Sequence, residues 1–143
     1  MVTIRLAGPS DAGALETLSE QARADLIAHR GGGALLSDPV LSGALNEEPA
    51  HPQVIFVADQ ESDLVGVGSG WLHDDVGWFV IWMRPDARRH QHGLSLAEAV
   101  TGWLRANGAK AVDSLSLPGD RATKQLLEKM GYKARLLVMR EGG

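Results

Sequence analysis

The chain has 143 residues, of which 44% are hydrophobic and 22% are charged. This content is enough for a sizeable core, and we predict a single domain over residues 1–143. The formal net charge of −4 argues against a general attraction to nucleic acid or to an anionic membrane. The chain contains no cysteine, which excludes disulfides, thiolate metal sites and a cysteine nucleophile.

Apolar residues occur only in short runs. None of these runs approaches the roughly 20 residues that a membrane-spanning helix needs. The first residues also lack the sustained apolar core of a signal peptide. We therefore expect a cytoplasmic protein.

The N-terminal part of the chain predicts a strand followed by two helices. Apolar and polar residues alternate from Val2 to Leu6, which is typical of a half-buried strand. A helix capped by Ser10 or Asp11 then runs to about residue 28, since four apolar residues share one face: Leu15, Leu18, Ala22 and Leu26. A run of three glycines follows, either a flexible connector or a substrate loop. Ser37 to Leu45 predicts a short second helix.

A hairpin comes next. Gln53 to Ala58 and Leu64 to His73 are rich in strand-forming residues, and the polar residues between them predict the turn. Glycines alternate along the second of these strands at positions 66, 68 and 70, so one of its faces lacks side chains. This pattern indicates a bulge or another element packed close against the backbone.

The stretch from Val76 to Asn107 predicts a strand, a basic loop and a helix. The apolar run Val76 to Met83 ends at Arg84-Pro85, because proline cannot donate to a strand ladder. The helix has apolar residues at helical spacing, at positions 94, 96, 97, 100, 103 and 104. Its start directs unpaired N–H groups toward a loop that carries arginines and histidines. A phosphate-bearing ligand or a plain solvated surface would both explain this loop.

The C-terminal part adds a strand, a helix and a last strand or strand pair. Ala111 to Leu117 predicts the strand, and Asp120 precedes a helix that Gly131 ends. Lys133 to Arg140 predicts the final strand or pair of strands. The fold class is therefore α/β (α+β), with a mixed, mostly antiparallel sheet flanked by about four helices in the order β-α-α-β-β-β-α-β-α-β.

Two motifs resemble the signatures of the GNAT superfamily of acyl-CoA-dependent N-acetyltransferases. The family's acyl-CoA loop reads Gln/Arg-x-x-Gly-x-Gly/Ala, and here it is Arg88-Arg89-His90-Gln91-His92-Gly93. Arg88 and Gly93 match, whereas Gln91 replaces the first glycine. The second signature, Asn-x-x-Ala-x-x-Leu-Tyr-x-x-x-Gly-Phe/Tyr, corresponds to Asp120 through Tyr132, with Leu127 in place of the tyrosine.

The resemblance implies a GNAT-like fold whose central strands diverge, with acetyl-CoA between them and no metal. The pantetheine arm would lie in the gap and the pyrophosphate at the helix start. The implied cofactor-binding residues are Met83, Arg88, Arg89, His90, Gln91, His92, Gly93, Leu94 and Ser95. Arg88 and the amides from Gln91 to Ser95 would contact the pyrophosphate, and an N–H near Met83 would hold the thioester oxygen.

The family's usual acid and base are both replaced. Leu127 cannot act as the acid, and Phe79 and Val80 occupy the strand positions where many members carry a carboxylate. The remaining catalytic candidates are Asp120, His73 and Asp75. Asp75 is equally explained as a turn residue, and Asp120 as a helix cap.

The acceptor pocket is predicted from residues on one strand face and beside the glycine run. Trp78, Val80 and Trp82 share a face because they alternate along the strand. Such aromatic residues either pack in the core or form one wall of a pocket for an apolar or cationic acceptor. The candidate acceptor residues are His29, Trp78 and Val80.

The resemblance predicts transfer of an acetyl group from acetyl-CoA to a primary amine of a small molecule or protein. The alternative is a GNAT-fold module that binds acyl-CoA without turnover, as a sensor or an interaction domain. The expected partners are acetyl-CoA and an amine, without nucleic acid or membrane, and a homodimer stays open.

Overall fold

The computed structural model describes residues 1–28, 53–88, 91–116 and 120–135, together with residues 139 and 141. Within them lie five strands and three α-helices. The strands are β1 (Val2–Leu6), β2 (Val54–Gln60), β3 (Asp63–His73), β4 (Val76–Met83) and β5 (Ala111–Ser114). The helices are α1 (Ala12–Ile27), α2 (His92–Ala106) and α3 (Arg121–Lys129). No helix in this part of the chain is both long and apolar enough to cross a membrane.

The five strands form one sheet in sequence order. The first four strands pair antiparallel, and β5 pairs parallel to β4 after the crossover through α2. The predicted mixed, mostly antiparallel sheet is thus confirmed. The two hairpins need only short turns because Glu61, Ser62 and Asp74 all adopt positive φ angles. In the hairpin between β2 and β3, positive φ at both central residues, Glu61 and Ser62, suits the right-handed twist of the flanking strands. The two strands therefore extend further into the predicted turn than the sequence suggested.

Helix α2 lies directly against the backbone of β3. A Cβ atom at Gly70 would lie 2.7 Å from Val100 Cγ1 of α2, and one at Gly68 would lie 2.7 Å from Ile81 Cδ1 of the neighbouring β4 and 3.0 Å from Val100 Cγ2 of α2. Both 2.7 Å distances are shorter than real Cβ contacts allow, so glycine is required for this packing. Close approach of a helix therefore explains the alternating glycines. The alternative prediction, a bulge, is also met at one end of the strand, because the β2–β3 register shifts between Ala58 and Asp59. The fully buried residues of α2 are Leu96, Ala97, Val100 and Leu104.

The opposite face of the sheet is covered by α1. Leu18 and Ala22 are buried there, and Leu18 belongs to a cluster with Val57 and Val67 that Trp82 packs against. The two faces of β4 are thus divided. Phe79 and Met83 pack on the α2 side, while Trp82 packs on the α1 side.

Two sequence predictions differ from the structure in the C-terminal part. Strand β5 ends at Ser114, and Leu115 and Ser116 are not in a strand. Lys133–Arg135, predicted to begin the last strand, are exposed and irregular, and Arg135 bonds Asp113 at 2.7 Å. The rest of that predicted strand and the predicted helix from Ser37 to Leu45 fall outside the described residues.

Candidate active site

A cleft borders the part of β4 that lies beyond its pairing with β5. The ladder between them stops at the pair Phe79 and Ser114, whereas β4 runs on to Met83. The cleft has a volume of about 280 Å³. It is lined by the end of β4, the loop and first turn of α2, the α3 segment and one residue of α1: Ile81, Trp82, Met83, Arg88, Gln91, Gly93, Leu94, Asp120, Ala122, Thr123, Gln125, Leu126, Lys129 and Asp25.

The backbone of β4 presents polar groups to this cleft. The N–H of Arg84 donates to the carbonyl of Val65 at 2.9 Å, which fixes the alternation of ladder bonds along the strand. Trp82 therefore pairs with Val67 through its N–H and C=O, while the same groups of Ile81 and Met83 point away from β3. Beyond Phe79, no ladder pair joins β4 to the described residues on that side.

The first turn of α2 borders the same cleft. Gln91 is the N-cap residue, with φ −76° and no side-chain capping bond. The amide of Ser95 bonds the carbonyl of Gln91 at 3.2 Å, so it is occupied within the helix. The amides of Gly93 and Leu94 come before that first helical bond and have no acceptor within the helix. The amide of Ser95 is therefore not available as one of the pyrophosphate donors that the sequence predicted.

A cluster of three side chains forms the wall at the end of β4. The Oδ2 atom of Asp25 accepts from Trp82 Nε1 at 2.9 Å and from Arg88 Nη2 at 3.0 Å. The Nε of Arg88 donates to the carbonyl of Met83 at 2.9 Å, and the guanidinium carbon lies 5.7 Å from the centre of the Trp82 ring. The cluster thus ties α1 to the end of β4 and to the following loop.

The structure brings most of the predicted cofactor-binding residues to this place. Five of them line the cleft: Met83, Arg88, Gln91, Gly93 and Leu94. His92 and Ser95 belong to the first turn of α2 but do not line the cleft. Arg89 and His90 fall outside the described residues.

The catalytic candidates are separated. Asp120 lines the cleft, where its Oδ1 accepts from the amide of Thr123 at 3.2 Å and its Oδ2 from the hydroxyl of Thr123 at 2.7 Å. It is thus the N-cap of α3. His73 and Asp75 lie at the turn before β4, a strand of 8 residues. That length puts them roughly 25 Å from the cleft end of the strand.

The acceptor candidates are divided too. Trp78 and Val80 share a face of β4 with Trp82, paired with Trp71 and Ser69 of β3, but neither lines the cleft. His29 falls outside the described residues. Trp82 does line the cleft, and the guanidinium of Arg88 lies over its ring.

Sequence reasoning missed Asp25 and the part of α3 that reaches the cleft. Gln125 and Lys129 line the cleft beside Leu126, one of the residues of the second motif. Asp25 carried a usable signal, since it follows Leu18 by seven positions and Ala22 by three. That spacing puts a carboxylate on the buried face of α1.

The sequence profile of the acetyltransferase (GNAT) family matches residues 26–132. The chain belongs to the GNAT acetyltransferase family. A search of curated proteins found no match.

Solved structures share the GNAT fold with this chain. Aminoglycoside N-acetyltransferase AAC(6')-Iy, in complex with CoA, is 18% identical with a TM-score of 0.70, covering 99% of this chain and 100% of its own. A protein from Pyrococcus furiosus is 22% identical, with a TM-score of 0.71 and 99% of each chain covered. A Clostridium acetobutylicum protein solved with acetyl-CoA is 9% identical, with a TM-score of 0.70 over 99% of this chain and 96% of its own. At such identities, the likeness is one of fold.

At the position of the tyrosine in the GNAT signature, this chain has Leu127, whose side chain packs in the core. Leu127 packs against the core cluster that contains Phe79 and Leu104. The chain's single tyrosine, Tyr132, meets Phe79 edge-on with ring centroids 5.9 Å apart. Burial is the main cause that raises the pKa of Tyr132, which makes its hydroxyl a weaker acid. Neither residue lines the cleft.

No group of three or more His, Cys, Asp or Glu side chains that could hold a metal ion occurs in the described ranges.

Proposed function

We propose that this GNAT protein transfers an acetyl group from acetyl-CoA to a primary amine of a small molecule or protein, acting as one domain over residues 1–143. The observation that carries the proposal is the edge of β4 beyond Phe79, which pairs with none of the described residues on that side. Beyond Phe79, the N–H and C=O of Ile81 and the N–H of Met83 point toward a cleft, while the Met83 carbonyl accepts from Arg88. An extended pantetheine arm, with its amide groups, can bond such an edge as an added strand would.

The pyrophosphate would bind at the start of α2. The amides of Gly93 and Leu94 precede the first helical bond, and the positive end of the helix dipole reinforces them. Lys129, which lines the cleft from α3, adds a positive charge on the opposite wall. CoA is thus recognised mainly by backbone groups, which need no fixed side chain.

In the proposed reaction, a neutral amine attacks the thioester carbonyl carbon. The C–N bond forms, the C–S bond breaks, and the N–H of Met83 donates to the carbonyl oxygen as negative charge develops on it. CoA leaves as a thiolate, which takes a proton from solvent because thiol pKa values lie near 8.5. The amine loses its extra proton to solvent. Asp120 is not needed for a proton-transfer step.

One observation favours a second candidate function, a domain that binds acyl-CoA without turnover. Leu127 is fixed in the core where the family commonly has its acid, so the cleft gains no tyrosine hydroxyl from that position. Such a domain would sense acyl-CoA or present it to another protein.

Two measurements test these functions together. Calorimetry with CoA and acetyl-CoA measures binding, and thiol release from acetyl-CoA over a panel of amines measures turnover. The panel includes aminoglycosides, because AAC(6')-Iy has been solved with a bisubstrate analogue, CoA-S-monomethyl-acetylneamine. Amine-dependent thiol release supports transfer, and binding with no release on any amine supports the sensor. Absence of CoA binding would refute both.

A further inference from the structure

The cluster of Asp25, Trp82 and Arg88 does more than join two elements on the surface. Exposed ion pairs contribute little, but here both charged side chains are only 33% exposed, and one carboxylate oxygen serves two donors. The guanidinium is also fixed from a second side by the carbonyl of Met83. Its position is therefore set by α1 and by β4 together.

The peptide between Met83 and Arg84 is held at both of its polar groups. Its oxygen accepts from Arg88 Nε at 2.9 Å, and its N–H donates to Val65 at 2.9 Å. The preceding peptide, between Trp82 and Met83, is fixed through the ladder pairing of Trp82 with Val67. Met83 thus lies between two immobilised peptides, and the direction of its N–H is set.

We propose that Asp25 is a positioning residue for acyl transfer, acting through Arg88 on the end of β4 that holds the thioester carbonyl. This rests on the proposed function. Asp25 orients the guanidinium, the guanidinium holds the Met83 carbonyl, and the strand end keeps the Met83 N–H aimed at the substrate oxygen. Trp82 supports the same carboxylate through its indole N–H and the guanidinium through its ring. Arg88 is therefore a brace for the strand rather than a pyrophosphate ligand.

The test uses a spectroscopic property of the bound substrate, so it needs no amine. Acetyl-CoA labelled with ¹³C at the thioester carbonyl is bound to the full chain, and its carbonyl stretch is read by isotope-edited infrared spectroscopy. A hydrogen bond from Met83 lowers that frequency relative to free acetyl-CoA. Asp25→Asn should return it toward the free value while changing the dissociation constant for acetyl-CoA less than about threefold, since binding energy comes from elsewhere in the cleft.

Glu20→Gln is the matched control, because Glu20 is an exposed carboxylate on the same helix and does not line the cleft. It should leave the carbonyl frequency at the parent value. Trp82→Phe removes the indole N–H that donates to Asp25 but keeps an aromatic ring, so it should shift the frequency in the same direction by less. This variant keeps the test available if Asp25→Asn does not fold.

A double-mutant cycle tests whether Asp25 acts through Arg88. With the best amine of the panel, Asp25→Asn and Arg88→Met should each lower kcat about tenfold or more with little change in KM. The double variant should be no slower than Arg88→Met alone. Additive losses would show that the two residues act independently and would overturn the proposal.

Three other results would also overturn it. The first is a bound carbonyl frequency that is not lowered in the parent or is unchanged in Asp25→Asn. The second is tighter CoA binding by Asp25→Asn, as expected if Arg88 is released to a phosphate. The third is a tenfold loss of CoA affinity in Arg88→Met that grows at low salt, as a phosphate contact would give. A parent that binds no acetyl-CoA would instead refute the proposed function.

Discussion

The two halves of β4 belong to one continuous strand but have different surroundings. From Val76 to Phe79 the strand is paired on both sides, and Phe79 is fully buried. From Ile81 to Met83 the one partner strand among the described residues is β3, and this half borders the cleft. The difference arises because β5 ends at Ser114. One strand can thus serve as core in one half and as a surface for a ligand in the other, simply because its neighbour is shorter.

Helix α2 repeats this division along its length. Its later turns carry the fully buried Val100 and Leu104, which pack against the glycine face of β3. Its first turn borders the cleft, where Gly93 and Leu94 are only partly buried. We therefore expect substitutions in the buried halves of β4 and α2 to affect mainly stability, and substitutions in the halves that border the cleft to affect mainly ligand binding.

The largest expected effect is on stability in the paired half. Phe79→Ala should lower the free energy of unfolding by about 3–5 kcal/mol, because it empties a fully buried ring site. Ile81→Ala, at a partly buried position on the cleft, should cost about 2 kcal/mol. Denaturant unfolding measures both, and CoA calorimetry should show the larger loss of affinity for Ile81→Ala. The opposite ranking in either measurement would break the comparison.

A pair of glycine substitutions should separate the two halves of α2. Gly70→Ala should destabilise by about 1–3 kcal/mol, because its methyl would overlap Val100 in a packed interface. Gly93→Ala should leave stability equal or improve it by up to about 1 kcal/mol, since alanine favours a helix and the nearest atom, Met83 Cγ, would lie 3.6 Å away. Its methyl narrows the cleft, so CoA affinity should fall. Thermal unfolding and calorimetry check the pair.

A smaller effect is expected where the paired half ends. The hydroxyl of Ser114 donates to the carbonyl of Phe79 at 2.7 Å. Ser114→Ala should therefore cost about 1 kcal/mol of stability. Ser116→Ala is the control, because that exposed hydroxyl makes only a 3.4 Å contact with Asp120, and it should change the denaturation midpoint little. Equal effects of the two variants would contradict a special role for the last ladder pair.

The smallest effect is expected for Gln91, where this sequence departs from the GNAT loop glycine. Its φ of −76° suits any residue, so the backbone does not demand glycine here. Gln91→Gly should leave CoA affinity the same or slightly tighter, because freer access to the amides is offset by roughly 0.5–1 kcal/mol of added chain entropy. A tenfold loss of affinity in calorimetry would instead make the glutamine amide a ligand contact.

The spacing of apolar residues predicted much of the fold, because an element that buries one face has apolar residues at regular positions along it. β1 and β4 have the predicted bounds, and the apolar stripe of α2 is the core. The glycines of β3 also indicated close packing correctly. The end of β5 could not be predicted, since Leu115 continues the apolar alternation although the ladder has already stopped.

The cleft was harder to predict, because its walls come from segments far apart in sequence. The loop motif located Arg88 and Gly93, but only the fold shows that Asp25 of α1 meets Arg88. The sequence-based assignment of Arg88 to the pyrophosphate came from the loop motif, which does not include that carboxylate. His73 and Asp75 were candidates by residue type, and the direction of β4 carries them to its far end.

The alternation of backbone groups in β4 also sets how fast its amide protons exchange with solvent. Trp82 and Met83 are neighbours in sequence, yet the amide of Trp82 is bonded within the ladder while that of Met83 points to the cleft. Deuterium should therefore replace the proton of Met83, and that of Ile81, well before that of Trp82. A bound acyl-CoA would slow exchange at Ile81 and Met83 and leave Trp82 unchanged. The isotope thus reports, residue by residue, which edge of the strand a ligand has covered.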